Sequence, residues 1–93
     1  MTVEIITPEN KLFEGEVKAI QLPGKDGLFQ ILDQHAPIIA TLGEGVIKID
    51  LVKAFERKEN TPAQLRSEGS VLKLDIQRGV VEVSGNKAIV LVN

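Results

Sequence analysis

Histidine-based chemistry in this chain would have to run through His35, the only histidine in a sequence that has no cysteine. A serine nucleophile would be Ser67, Ser70 or Ser84, with His35 as its base. All three serines fall in loop or turn contexts, and none sits in the strand-to-helix elbow that exposes a serine for attack. One imidazole without thiolates also falls short of the three or four protein ligands that zinc geometries gather. The carboxylates lie mostly on the outward phase of strands or in turns, where they serve solubility and edge protection. Gly24-Lys25-Asp26-Gly27 is the one glycine-rich candidate for holding phosphate. It leads into a strand, whereas phosphate cradles open a helix whose amino terminus attracts the anion, so it reads as a turn. These residues point away from catalysis.

The elements that position them are strands. In the segment from Leu22 to Ile38, Pro23-Gly24 and Asp26-Gly27 read as turn dipeptides, and Leu28 to Leu32 as a short, buried strand. Pro37 lacks an amide hydrogen and pushes Ala36 towards an extended conformation, which takes the chain out of the sheet. Val3 to Thr7 alternates, Lys11 to Glu14 is a short extended piece, and Val17 to Leu22 follows Gly15 with a phase slip near Ala19-Ile20 that signals a bulge or burial on both faces. Ile38 to Leu42 and Val46 to Leu51 flank Gly43-Glu44-Gly45, which reads as a hairpin loop. Ile47, Ile49 and Leu51 point one way in the second of these strands, the same two-residue period returns at Leu72, Leu74 and Ile76, and a hairpin about Ser84-Gly85-Asn86 closes the chain. The pattern predicts an all-β fold, a two-sheet β-sandwich or barrel of about ten short strands. Residues 1–93 read as one domain with a long polar hairpin excursion over 53–70. Within it Phe55 and Leu65 are the large apolar residues, and Pro62 opens at most one helical turn.

Composition agrees. Hydrophobic residues make up 43 % of the 93 and aromatics 3 %, with no Trp or Tyr, so the core must be built from Val, Ile and Leu. The formal net charge of −2, with both signs interspersed, makes no footprint for nucleic acid. Apolar runs stay far below the ~20 residues of a membrane-spanning helix, and Met1 leads straight into a strand with Glu4 inside it, without the pattern of a targeting segment.

Leu22, Pro23, Gly24, Asp26, Gly27, Phe29, Ile31, Leu32, His35, Ala36 and Pro37 follow, in order and spacing, a pattern typical of the epsilon subunit of F-type ATP synthase. Thr7 to Val17 and Arg78 to Asn93 agree with it as well, so the chain resembles that family at both ends and in the middle. The resemblance implies a β-sandwich in the rotor's central stalk that couples the gamma subunit to the c-ring, without catalysis or cofactor. By the same transfer His35, Ala36, Pro37, Ile38 and Ala40 are candidates for the gamma contact, and Lys25, Asp26, Gly27 and Leu28 for the c-ring contact. On the residues alone His35 reads as a half-buried imidazole bonded to the backbone of the following loop.

Departures from the family pattern are Gln30, Asp33-Gln34, Arg78 and Val80, together with a sequence that stops at Asn93, where typical members continue into a helical hairpin. The resemblance therefore implies a short form that neither brakes hydrolysis nor binds ATP. It would lie at the cytoplasmic face of the bacterial inner membrane and touch the membrane only through the complex. The alternatives are a generic β-sandwich interaction module and a small-ligand barrel, the second disfavoured by the lack of aromatic platforms.

Overall fold

The computed structural model describes all 93 residues and contains nine strands and no helix. The strands are β1 (Thr2–Ile6), β2 (Lys11–Gly24), β3 (Gly27–Leu32), β4 (Ile38–Leu42), β5 (Gly45–Leu51), β6 (Arg66–Glu68), β7 (Val71–Ile76), β8 (Gly79–Ser84) and β9 (Lys87–Val92). The fold is organised by β2, 14 residues long, which takes part in both layers of the sandwich. Its first half pairs with β1, and β9, β8 and β4 continue that layer. Its second half lies between β3 and β5, and β7 and β6 continue the other layer. At the far end Gly24 pairs with Leu42 of β4, which brings the two layers together again.

The expected break at Gly15 does not occur. Gly15 stays in the ladder opposite Val3, and the Phe13 ring lies over it, 3.1 Å from where a Cβ would stand. The phase slip does occur: the register against β5 shifts between Val17 and Ala19, which lets the adjacent Ala19 and Ile20 both be buried. Pro23-Gly24 is strand rather than turn, because the chain reverses at Lys25-Asp26 and pairs Pro23 with Leu28. Of β3, only Ile31 is fully buried, so the strand is an edge and not the buried element that its apolar residues suggested.

Gly43-Glu44-Gly45 is not a hairpin loop. β4 pairs with β8 while β5 pairs with β2 and β7, so these three residues carry the chain from one layer to the other. Alternation reports which residues face inward but not which strand lies alongside. The passage is tight: a Cβ on Gly45 would come within 2.6 Å of the Pro23 Cβ.

The excursion is less solvated than its composition suggests. Leu65 is fully buried in the core cluster, and Phe55 packs against that cluster. Arg57 Nη2 donates to the Leu65 carbonyl, Phe55 N–H donates to Gly69 O at 3.0 Å, and Arg66–Glu68 adds a strand to β7. Pro62 opens a single turn closed by Leu65 N–H to Pro62 O at 3.2 Å.

The core is almost wholly Val, Ile and Leu, with no buried polar residue and no buried side-chain N or O left without a partner. Leu65→Ala should therefore lower the stability measured by urea unfolding by about 2–5 kcal/mol, the range for truncating a fully buried leucine. A loss below about 0.5 kcal/mol would mark 53–70 as a solvated tip.

Candidate functional site

The candidate residues fall on two surfaces at opposite ends of β3. At one end Lys25 and Asp26 form the two-residue turn, exposed to solvent, and Gly27 follows with φ 127°, a conformation that side chains disfavour. Leu28 is 67 % exposed. Lys25 N–H reaches Thr41 O at 3.4 Å, and the turn, Leu28 and Phe29 line one shallow depression together with Ala40 and Thr41. Ala40 thus belongs with the turn rather than with His35.

At the other end, roughly 20 Å away along six residues of extended chain, the chain leaves β3 through Asp33, Gln34, His35, Ala36 and Pro37, all exposed. His35 is not half-buried. Its Nδ1 lies 2.7 Å from the Ala36 carbonyl, so the expected bond to the local backbone is present while the ring itself is open to solvent. Ile38 and Ala40 turn inward and pack against the core, whereas Ile39 between them is 73 % exposed. The outward residue of this strand is therefore Ile39, which the family pattern did not single out.

Polar contacts missed in the sequence fix the His35 loop. The α-ammonium of Met1 donates to Asp33 Oδ1 at 2.8 Å and to Glu16 Oε2 at 3.2 Å. Asn86 Nδ2 donates to the same Asp33 oxygen at 2.9 Å, and Gln34 N–H donates to Asn86 Oδ1 at 2.8 Å. Gln34 and Asn86 both take positive φ, 64° and 57°, which polar residues in turns tolerate best. Asn86 was legible as a turn residue; its partner 52 positions away was not. The contacts shift three titrations. Asp33 is held below the ordinary carboxylate range, first by the α-ammonium and then by Asn86. Glu16 is lowered by the Thr2 hydroxyl and the α-ammonium, and the α-ammonium is itself raised, chiefly by Asp33.

A third feature is apolar. Thr41, Val80, Leu91 and Ile6 stand in register across β4, β8, β9 and β1 on the outer face of that layer, with Val80 39 % and Leu91 51 % exposed. Glu4 of the same face takes Lys11 Nζ at 2.7 Å, and Lys11 also reaches Glu14 at 2.8 Å, which raises the lysine's pKa.

The sequence profile of the family described as "ATP synthase, Delta/Epsilon chain, beta-sandwich domain" matches residues 1–93, the whole chain. The chain belongs to that family. Among its relatives, the ATP synthase epsilon chain of Chlorobaculum tepidum is 39 % identical over 90 residues, covering 97 % of this chain and 85 % of the relative. That of Chlorobium limicola is also 39 % identical, over 89 residues, with 96 % and 84 % covered. The epsilon chain of Leptospira borgpetersenii is 34 % identical over 91 residues and is itself covered to 59 %. A chain in the central stalk and c-ring structure of Tetrahymena thermophila mitochondrial ATP synthase superposes with a TM-score of 0.73 at 17 % identity, over 98 % of this chain and 61 % of that one, and shares the fold. This epsilon-family chain is thus a β-sandwich subunit of an ATP synthase, and no helix in it is long and apolar enough to cross a membrane.

The signs of the pKa shifts set the behaviour of the His35 loop in this epsilon-family chain. Depressed Asp33 and Glu16 stabilise the folded loop at pH above their ordinary values, and that support is lost as pH falls through the lowered ones. The raised α-ammonium contributes fully below its ordinary value of 8.0 and ceases to contribute as pH rises through the raised one. The backbone order of Gln34, followed by ¹⁵N relaxation, should be highest between about pH 5 and about pH 8 and fall on either side. In Asn86→Ala it should be low throughout. A flat profile in the unmodified chain would contradict the ion-pair account.

Proposed function

We propose that this chain is a non-catalytic rotor element, the sandwich that couples the gamma subunit to the c-ring during ATP synthesis in a proton- or sodium-driven complex. The supporting observation is geometric. The family's contact motifs fall on two exposed surfaces about one strand length apart, on a scaffold whose interior is closely packed and free of buried polar groups.

In this reading the turn at Lys25, Asp26, Gly27 and Leu28 rests on the polar loops of the c-ring. The loop at His35, Ala36 and Pro37 meets gamma, with Ile38 and Ala40 holding β4 from inside while Ile39 presents the outward side chain. Charges beside small apolar groups suit a moderate, partly polar interface. Torque passes between the two surfaces because a close-packed sandwich deforms little. The work assigned to these 93 residues in this reading is mechanical. The site of action is the cytoplasmic face of a bacterial inner membrane, reached through the complex.

Titration calorimetry with the gamma subunit from the same source should give saturable one-to-one binding. A His35→Ala, Pro37→Ala double variant should weaken it at least about tenfold, or about 1.4 kcal/mol. Charge reversal at Lys25 or Asp26 should weaken association with the c-ring while changing folding stability by no more than about 0.5 kcal/mol. Unchanged gamma binding in the double variant would remove the proposed interface. A large loss of stability on charge reversal would mark the turn as structural rather than as a contact.

A further inference from the structure

The outer side of β3 is an open sheet edge. β3 pairs with β2 alone. Its two-residue turn makes Gly24 and Gly27 the closing hydrogen-bonded pair of the hairpin, and along an antiparallel ladder such pairs alternate with pairs that exchange no bonds. By that alternation Phe29 and Ile31 bond across to Leu22 and Ile20, while Leu28, Gln30 and Leu32, opposite Pro23, Gln21 and Ala19, do not bond to β2. Pro23 supports the assignment twice. It has no N–H to give, and its carbonyl is taken by Gly43 N–H at 2.8 Å instead of by β3. Leu28, Gln30 and Leu32 therefore direct their N–H and C=O groups to the open edge.

Sheet edges are ordinarily blunted by lysine, proline, a bulge or a covering element. β3 has none of these: Gly27–Leu32 carries no charge and no proline, and its register against β2 is unbroken. The outward side chains form a pattern symmetric about Gln30, with Leu28 67 % and Leu32 54 % exposed on either side of it.

We propose that the free chain pairs with a second copy of itself, edge to edge through β3, antiparallel and two-fold symmetric about Gln30. In that register Leu28 of one copy stands opposite Leu32 of the other, Gln30 stands opposite Gln30, and the residues facing each other are those with free backbone groups. Each of the three pairs then exchanges both of its hydrogen bonds. Such an interface is isologous, so one strand supplies both halves and the assembly closes at two copies. The apolar–polar–apolar order is self-complementary, which is why the strand's own copy fits this edge. The inference concerns the free chain and stands independently of the rotor reading.

A single strand pair lies at the small end of interface area, so the association is weak, and sedimentation velocity should span roughly 10 µM to roughly 1 mM protein. The expected result for the full chain is a shift from one-chain to two-chain mass across that range. Gln30→Pro removes an N–H that serves only the open edge, and Gln30→Lys sets two like charges face to face across the two-fold axis. Both variants should melt within a few degrees of the unmodified chain and remain at one-chain mass. The lysine variant keeps the test decisive if the proline variant does not fold. One-chain mass for the unmodified protein throughout would overturn the proposal. So would a dimer that persists in the folded variants, or one that Leu91→Lys abolishes while Gln30→Lys does not, which would assign the contact to the apolar outer face.

Discussion

The structure depends on one strand serving two layers. β2 must begin against β1, end between β3 and β5, and finish at Gly24 against the end of β4, and each requirement is met by a local feature of its sequence. The shift between Val17 and Ala19 re-aims the side chains so that Ala19 and Ile20 both enter the core. Pro23 occupies a position where β3 asks for no N–H, and Gly45 leaves the space in which the crossing chain packs against it. With β2 set, the Lys25-Asp26 turn and the Asp33–Pro37 loop are placed at the two ends of the strand that hangs from it.

The division between interior and exterior follows from that frame. The interior holds aliphatic side chains and no buried polar side chain, so its side chains stabilise the fold through burial and packing while the backbone is paired in the ladders. Polar interactions are confined to the rim, where they act locally: Asp33 gathers the α-ammonium of Met1 and Asn86, and thereby joins the starts of β1 and β9 to the loop that carries His35. Such exposed contacts add little to global stability, but they restrict where a loop can go. In the proposed rotor reading, such a chain holds two surfaces at a fixed separation.

What the sequence made legible was what alternation and turn chemistry encode. The all-β class, the slip at Ala19-Ile20, the final hairpin and the inward set of β5 and β7 could all be read from residue types. Pairing was not legible, because alternation is blind to partners: Gly43-Glu44-Gly45 looked like a hairpin and is a crossover. Leu65 looked like a stray apolar residue among charges, and only the folded chain brings it to the core. Pro23-Gly24 looked like a turn because proline and glycine are turn formers in general, yet here the first sits where no donor is needed and the reversal belongs to Lys25-Asp26. At the candidate site the exposed turn and loop were legible. Ile39 and the Asn86 clamp were not, since one depends on which way β4 faces and the other on a contact across most of the chain.

In the proposed arrangement the sandwich carries two separate contact surfaces, at the two ends of β3, on a frame that does not deform. The decisive experiment is amide hydrogen exchange by mass spectrometry, comparing the free chain with the chain in the assembled gamma and c-ring complex. New protection is expected at Lys25–Leu28 and at His35–Ile39, with exchange in the β2 ladder against β1 and β5 unchanged. Protection confined to residues 53–70, or exchange in β2 that changes on assembly, would contradict it.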